Sequence, residues 1–453
     1  MKTILAANES IAKLWGSPKP KETTYRLMKY ILRIAVKDGI LLHNNVTGHL
    51  IHLTSEEAEL LSKLPVAPTE SERELIANHF LVPVSFDEYS SVKQLRRIFQ
   101  SRNTGEFIND YIILPTTFCN AHCFYCYESD HPRVHMTEET ANKLVEYIAE
   151  NRKGKDVEIN WFGGEPLVGI KRIDQISQAL KDREIPYSSS MISNGYLFDE
   201  EIANRSVDLW NLKRIQITLD GTEEVYNQVK AYANPSENPF QRVLRNIDLL
   251  ASKKILVNIR LNVGFHNKDD IRILIDELGK RYSGNQNIGV YLSVLYDGMG
   301  YEPVKRSLDD TIALQKITND LTDRLKEFGL VRIRQKVPIL EVQQCIADNP
   351  HSVVIQPDGG FCRCEHENVL DCYGNLDEGV LDPQKPLKWK ETIERTDYCG
   401  ECPMYPSCYL LRYCINARKE CIDEFRSQFI RRNEDIIHTK YKKYLEDESN
   451  EKV

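Results

Sequence analysis

The sequence lacks any apolar run approaching the roughly 18 residues a membrane-spanning helix requires. It also lacks a positive excess, since 59 Lys and Arg stand against 67 Asp and Glu for a net charge of −8. Nucleic-acid binding leaves a basic footprint, and none is present. Basic stretches such as Arg431-Arg432 lie among acidic neighbours and read as solvated helix faces. No export signal opens the chain, because the apolar start of MKTILAANES is broken at once by Asn8, Glu9 and Ser10. Internal repeats and low-complexity tracts are absent too. These absences predict a cytoplasmic protein with reduced thiols, acting on neither nucleic acid nor membrane. In that compartment clustered cysteines are metal ligands more often than disulfides.

Cysteine is what the chain has in quantity, 12 in 453 residues, a length that suits two or three domains. Cys119, Cys123 and Cys126 stand in the run CNAHCFYC, directly after the apolar YIILPTT, and the other nine follow from residue 345 onward. Thiolates suit iron–sulfur clusters or zinc. Three on one loop hold three irons of a cubane and leave the fourth without a protein ligand. An open metal position marks chemistry more than scaffolding.

Three zones can be read along the chain. In the first, ILRIAV and ILLHN flank the turn signal Lys37-Asp38-Gly39, and VTGHLIHLT supplies a third strand. Thr54-Ser55-Glu56-Glu57 caps a helix EEAELLSKL, and ESERELIANHF reads as another. In the second, the apolar runs YIILPTT, DVEINW, SSSMIS, RIQITL, LVNIRLNV and VYLSVL are separated by helical patterns. That alternation indicates parallel βαβ units. The third holds DDTIALQKITNDLTDRLKEF as an amphipathic helix, then the late cysteines, then a terminal helix from CIDEFRSQF onward.

The spacing C-x3-C-x2-C with Tyr125 before its third cysteine resembles the signature of radical S-adenosylmethionine (SAM) enzymes. The resemblance implies a [4Fe–4S] cluster on Cys119, Cys123 and Cys126, with SAM chelating the open iron and cleaved to a 5′-deoxyadenosyl radical. Its companions follow in order. Trp161-Phe162-Gly163-Gly164-Glu165-Pro166 resembles the GGEP motif that holds the SAM amino group, so Gly163, Gly164 and Glu165 are expected at the cofactor. Ser193-Asn194-Gly195 is similar to the family's Thr-Asn-Gly. Thr218-Leu219-Asp220-Gly221 is similar to the Ser-Leu-Asp-Gly of peptide-modifying members, where the hydroxyl residue touches SAM. A basic residue shortly after binds the SAM carboxylate there; here it is Lys230, with Arg260 as the rival. Tyr125 and Leu292 are expected near the adenine.

The late cysteines, Cys345-x13-Gly-x4-Cys364 and then Cys399, Cys402, Cys408, Cys414 and Cys421, resemble the SPASM domain of peptide and protein maturases, with two auxiliary [4Fe–4S] clusters. The resemblance assigns Cys345, Cys364 and Cys414 to one cluster and Cys399, Cys402, Cys408 and Cys421 to the other. The spacings depart from the family's, so Cys414 and Cys421 are open to exchange. The first cluster's fourth ligand is Cys362, Cys372 or none, which leaves an iron open to a substrate thiolate. A zinc site is the alternative for the whole set. Glu365 stands where sulfatase-maturating relatives carry a general base.

The expected fold is α/β: a partial (β/α)6 TIM-type barrel (101–305), an N-terminal α+β winged-helix-like domain (1–100), a linking helix (306–340) and a cysteine-rich iron–sulfur domain (341–453). The N-terminal domain resembles the element that captures leader peptides by strand addition. The implied function is an oxidative crosslink, thioether or carbon–carbon, in a ribosomally made precursor peptide, with flavodoxin or ferredoxin as electron donor. The alternatives are formylglycine formation in a sulfatase and a non-catalytic iron–sulfur or zinc protein.

Overall fold

A computed structural model describes residues 1–16, 24–67, 72–103, 105–295, 307–332, 336–343, 345–390, 392, 396–411 and 421–451. The chain divides into two compact units, one of residues 1–104, 333–344 and 391–453, the other of 105–332 and 345–390. The expected boundary at 341 therefore does not coincide with the division: the earlier late cysteines belong to the second unit and the later ones to the first.

The first unit opens with β1 (Lys2–Leu5), α1 (Glu9–Trp15), β2 (Tyr25–Leu27), β3 (Ile31–Val36), β4 (Gly39–Asn44) and β5 (Leu50–Thr54). There follow α2 (Ser55–Ala58), α3 (Arg73–Ala77), β6 (Leu81–Pro83) and α4 (Glu88–Arg102). Strands β1, β5, β4 and β3 form an antiparallel sheet in that order, and β2 pairs with β6. The expected turn joins β3 to β4, with Val36 opposite Gly39. The expected capping box starts α2: Thr54 accepts from the Glu57 amide, and Glu57 accepts from the Thr54 amide.

The second unit carries β7 (Asp110–Ile113), α5 (Glu138–Asn151), β8 (Val157–Trp161), α6 (Ile170–Asp182), β9 (Tyr187–Ser193), α7 (Glu200–Asp208) and β10 (Leu212–Leu219). It continues with α8 (Glu223–Lys230), α9 (Pro239–Ser252), β11 (Leu256–Val263), α10 (Lys268–Tyr282), β12 (Ile288–Val294) and α11 (Leu308–Glu327). Strands β7 to β12 are the six expected runs, parallel and in sequential order. One edge holds what the sequence pattern did not announce. There β13 (Ser352–Ile355) pairs in parallel with β7, and β14 (Gly360–Cys362), β15 (Gly374–Asn375) and β16 (Gly379–Val380) extend the sheet antiparallel.

Parallel strands covered on both faces read as continuous apolar runs, but these alternate. Ile159, Trp161, Ile215, Ile217, Ile259 and Leu261 are buried with Leu144, Ile173, Ile247 and Leu274 of the surrounding helices. The intervening Asn160, Ser190, Gln216, Thr218, Asn258 and Arg260 are only half-buried. A polar inner face on a parallel sheet lines a space for a ligand. The first unit closes with α12 (Thr396–Cys399) and α13 (Asp423–Glu451). No helix among the described residues is long and apolar enough to cross a membrane.

Candidate functional site

The cysteine loop, Gly163–Glu165, Ser193–Asn194 and Thr218 fall at the carboxyl ends of strands, where barrels of this type place their chemistry, while Lys230 ends α8. The loop after β7 carries Cys119, Cys123 and Cys126, partly buried. The Ala121 amide points at the Cys119 sulfur (3.4 Å), and the Cys126 amide donates to the Cys123 carbonyl (3.1 Å). Burial pushes the Cys119 thiol up to about 12 and that of Cys126 to about 11. A bound cation reverses such a shift, because a coordinated thiol is deprotonated outright.

Gly163 and Gly164 act on this loop. Gly163 sits at φ +107°, and a Cβ there would lie 2.2 Å from the Thr116 carbonyl oxygen. A Cβ on Gly164 would lie 2.5 Å from the carbonyl oxygen of Phe118. The pair lets the turn after β8 lie against the cysteine loop, and the Glu165 amide donates to the Phe118 carbonyl (2.9 Å). The Glu165 side chain is fully buried. It accepts from the Ser193 hydroxyl (2.9 Å), the Asn194 amide (2.8 Å) and the Leu167 amide (3.2 Å). Burial raises its pKa against those bonds. Asn194 in turn donates to the Asn120 side chain (2.7 Å). The second strand end, the third strand end and the cysteine loop thus form one hydrogen-bonded block.

A second block ties in the fourth strand. Tyr125 donates to Asp220 (2.8 Å), Lys230 Nζ lies 3.0 Å from Asp220 and 3.2 Å from the Tyr125 oxygen, and Asn262 donates to Asp220 (2.8 Å). Burial acts to lower the Lys230 pKa, but Asp220 and its neighbours outweigh it, and the amine stands well above its ordinary value. Lys230 is therefore already ion-paired inside the protein. Its rival Arg260 lies on the half-buried inner face, donating to Asn262 (2.9 Å) and Ser293 (2.9 Å). Thr218 stands beside Arg260 in the register of β10 on β11.

Leu292 corrects an expectation. It packs with the helix-covered core, opposite Leu261. Side chains alternate along a strand, so the inner face of β12 belongs to Tyr291 and Ser293. Asp220, Asn262 and Tyr127 escaped the sequence reading as site residues. Asp220 lies within the quoted Thr-Leu-Asp-Gly run, Asn262 two residues after Arg260 on the same face, and Tyr127 directly after the third cysteine.

The late cysteines fall into three groups. Cys364 clusters with Ala347, Trp389 and Cys345. Cys362 and Cys372 contact one another at 3.4 Å, within a separate cluster of Ile112, Leu114, Phe162 and Val354. In the first unit Cys399, Cys402, Cys408 and Cys421 are neighbours; burial above all, and then their mutual proximity, raises the Cys402 thiol and pushes Cys408 up to about 12. Arg96 of α4 holds that segment by donating to the carbonyls of Tyr405 (3.1 Å) and Pro406 (3.3 Å). Cys414 lies outside the described residues.

Glu365 lies 3.8 Å from the Cys364 sulfur. His366 beside it stacks on Tyr127 at 3.9 Å, bringing this segment to the cysteine loop. Glu128 is buried there with Oε1 lacking a hydrogen-bond partner, and burial, reinforced by Glu365, pushes its carboxyl up to about 7.

Cys119, Cys123 and Cys126, partly buried on one loop, are the thiol donors a [4Fe–4S] cluster takes. No three His, Cys, Asp or Glu side chains among the described residues converge on a single ion. The inner face presents donors and acceptors together, as an amino-acid-bearing cofactor needs.

Residues 113–278 match the radical SAM superfamily. TigE, a radical SAM cyclopropyl synthase of Paramaledivibacter caminithermalis, is 22% identical over 349 residues, 69% of this chain and 69% of its own. A GTP 3′,8-cyclase of Clostridium perfringens strain SM101 is 23% identical over 310 residues, 64% of this chain and 90% of its own. The structure of native anSMEcpe with bound AdoMet and a peptide is 16% identical, with TM-score 0.53, covering 76% of this chain and 99% of that one. That last likeness is one of fold.

Proposed function

We propose, from the premise that this chain carries a radical SAM domain over residues 113–278, that it installs an oxidative crosslink, thioether or carbon–carbon, in a ribosomally made precursor peptide. The observation that carries this reading is the set of four neighbouring thiols, Cys399, Cys402, Cys408 and Cys421, beside the separate pair Cys345 and Cys364. A radical SAM reaction that ends by oxidising its substrate needs electron acceptors besides the first cluster. These two groups are the candidate holders of auxiliary [4Fe–4S] clusters. TigE, named as a cyclopropyl synthase, and anSMEcpe, with its bound peptide, support bond formation and a peptide substrate.

When bound, the cofactors supply one-electron chemistry and hydrogen-atom abstraction; the protein positions and protects. Cys119, Cys123 and Cys126 hold the first cluster. Ser193, Asn194, Thr218 and Arg260 would hold SAM, Arg260 supplying a cation for its carboxylate, while Glu165 and the Tyr125–Asp220–Lys230 block fix the loops that carry them. Glu365 accepts the proton released as the substrate carbon is oxidised. The first-unit sheet captures the leader by its strand edge, and a low-potential flavodoxin or ferredoxin delivers the electron.

Glu365 beside Cys364 also favours a second reading, formylglycine formation in a sulfatase. The test is anaerobic reconstitution, then incubation with SAM, reductant and three substrates: a precursor peptide encoded beside the gene, a sulfatase peptide and GTP. The proposal expects about 12 iron per chain, falling to about 8 in a Cys119/Cys123/Cys126 triple-Ala variant, and a crosslinked precursor located by fragmentation. Formylglycine or cyclised GTP as the sole product would replace it. About 4 iron with bound zinc would remove the auxiliary clusters.

A further inference from the structure

Two cysteines remain outside both cluster sets. Cys362 ends β14 and is fully buried, while Cys372, in the segment leading into β15, is half-buried. Their sulfurs are 3.4 Å apart, and the Asn368 carbonyl oxygen faces both, at 3.5 Å from Cys362 and 3.9 Å from Cys372. Gln356 Nε2 donates to the Cys362 sulfur at 3.6 Å. Gly360 makes the approach possible, since a Cβ there would lie 2.3 Å from the Cys372 sulfur. The pair lies among Ile112, Leu114, Phe162 and Val354, whereas Cys364 clusters with Cys345 and Trp389. Two thiols in van der Waals contact need little movement to bond.

We propose that Cys362 and Cys372 form a reversible disulfide, a modification site distinct from the cluster ligands. Its oxidant is a low-molecular-weight disulfide of the glutathione type. Cys372, the accessible thiol, attacks first as its thiolate, forming a mixed disulfide and expelling one small thiol. Cys362 then attacks the Cys372 sulfur, the internal bond forms, and the second small thiol leaves. Two protons and two electrons pass from the protein pair to the oxidant. The bond closes the loop that carries Cys364, Glu365 and His366, so oxidation state restrains the segment stacked on Tyr127. Reduction by excess thiol reverses it. The inference does not depend on which bond the enzyme makes.

The test treats the full-length reconstituted protein with oxidised glutathione or with a phosphine reductant, alkylates it under denaturing conditions and maps tryptic peptides. Cleavage after Arg363 puts Cys362 and Cys372 on different peptides, so their disulfide appears as a linked pair, and fragment ions separate it from links through Cys345 or Cys364. The expected result is a Cys362–Cys372 link after oxidation, absent after reduction and absent in Cys372→Ser, whose iron content equals the parent's. Links through Cys345 or Cys364 instead, or both thiols alkylated after oxidant, would overturn the proposal. So would loss of about four iron in Cys372→Ser, which would make it a ligand. Should that variant fail to fold, the map of the parent protein decides alone.

Discussion

Two sets of buried ionisable side chains, one in each unit, are held by opposite means. In the second, Lys230 and Asp220 are both nearly inaccessible and ion-pair with one another, and Asp220 also accepts from Tyr125 and Asn262. In the first, His43 and His79 are buried without an opposite charge. His43 hydrogen-bonds Asn45 through Nδ1 (3.0 Å), and His79 stacks on Trp15 at 4.1 Å. Burial holds both rings neutral, each pushed down to about 4. A paired charge fixes geometry and fails when one partner is removed; an unpaired neutral ring fails when protons become abundant. The candidate site lies in the unit that holds this ion pair, which suits loops that must be held in register.

The sharpest way to break this comparison is Lys230→Met, which leaves Asp220 buried and uncompensated. Removing one member of a buried pair costs about 3–5 kcal/mol. The expected result is a large fall in the thermal midpoint, most of it recovered in the Asp220→Asn/Lys230→Met double variant. An unchanged midpoint in the single variant would mean that the pair is not what holds the block.

Acid probes the other side. A histidine whose folded pKa is lowered contributes stability that is complete above the unfolded value and lost as pH falls toward the folded one. From about 6.5 unfolded to about 4 folded, His43 and His79 each forfeit about 3 kcal/mol. Denaturant unfolding at pH 7, 5.5 and 4.5 should show most of that loss, and His43→Gln should flatten it. A pH-independent midpoint over this window would contradict the burial argument.

A smaller effect tests the glycines. Gly164→Ala sets a methyl 2.5 Å from the Phe118 carbonyl oxygen, an overpacking worth about 1–3 kcal/mol. It should lower iron retained at the cysteine loop more than it lowers overall helicity. Smallest is Thr54→Ala, which removes the cap of α2 and should cost about 1 kcal/mol, read as a slight shift in the midpoint with no change in iron.

Much of the site was legible as sequence because its residues are close in the chain. Cys119, Cys123 and Cys126 share one loop, and Gly163 to Glu165 one turn. The strand ends Ser193–Asn194 and Thr218 were readable from apolar runs whose polar punctuation marks where strands stop. Leu292 was misplaced because a short apolar run such as VYLSVL does not announce its phase. Only pairing with β11 fixes which alternate residues face inward, and it chose Tyr291 and Ser293. Lys230 was recognised as a cation at the right spacing, but its partner Asp220 and their burial depend on how α8 returns to the cysteine loop.

Local spacing by itself determined the three-cysteine loop, the six βα repeats and the α2 cap, since periodicity, turn chemistry and short ligand spacings act over a few residues. Tertiary structure alone decided the rest. It drew β13 alongside β7, divided the late cysteines between two units, matched Cys362 with Cys372 and not with Cys364, and buried the Glu165 carboxylate fully among three donors. Those outcomes depend on contacts between residues far apart in the chain. Such contacts form only where packing makes burial favourable enough to offset the entropy of closing long loops.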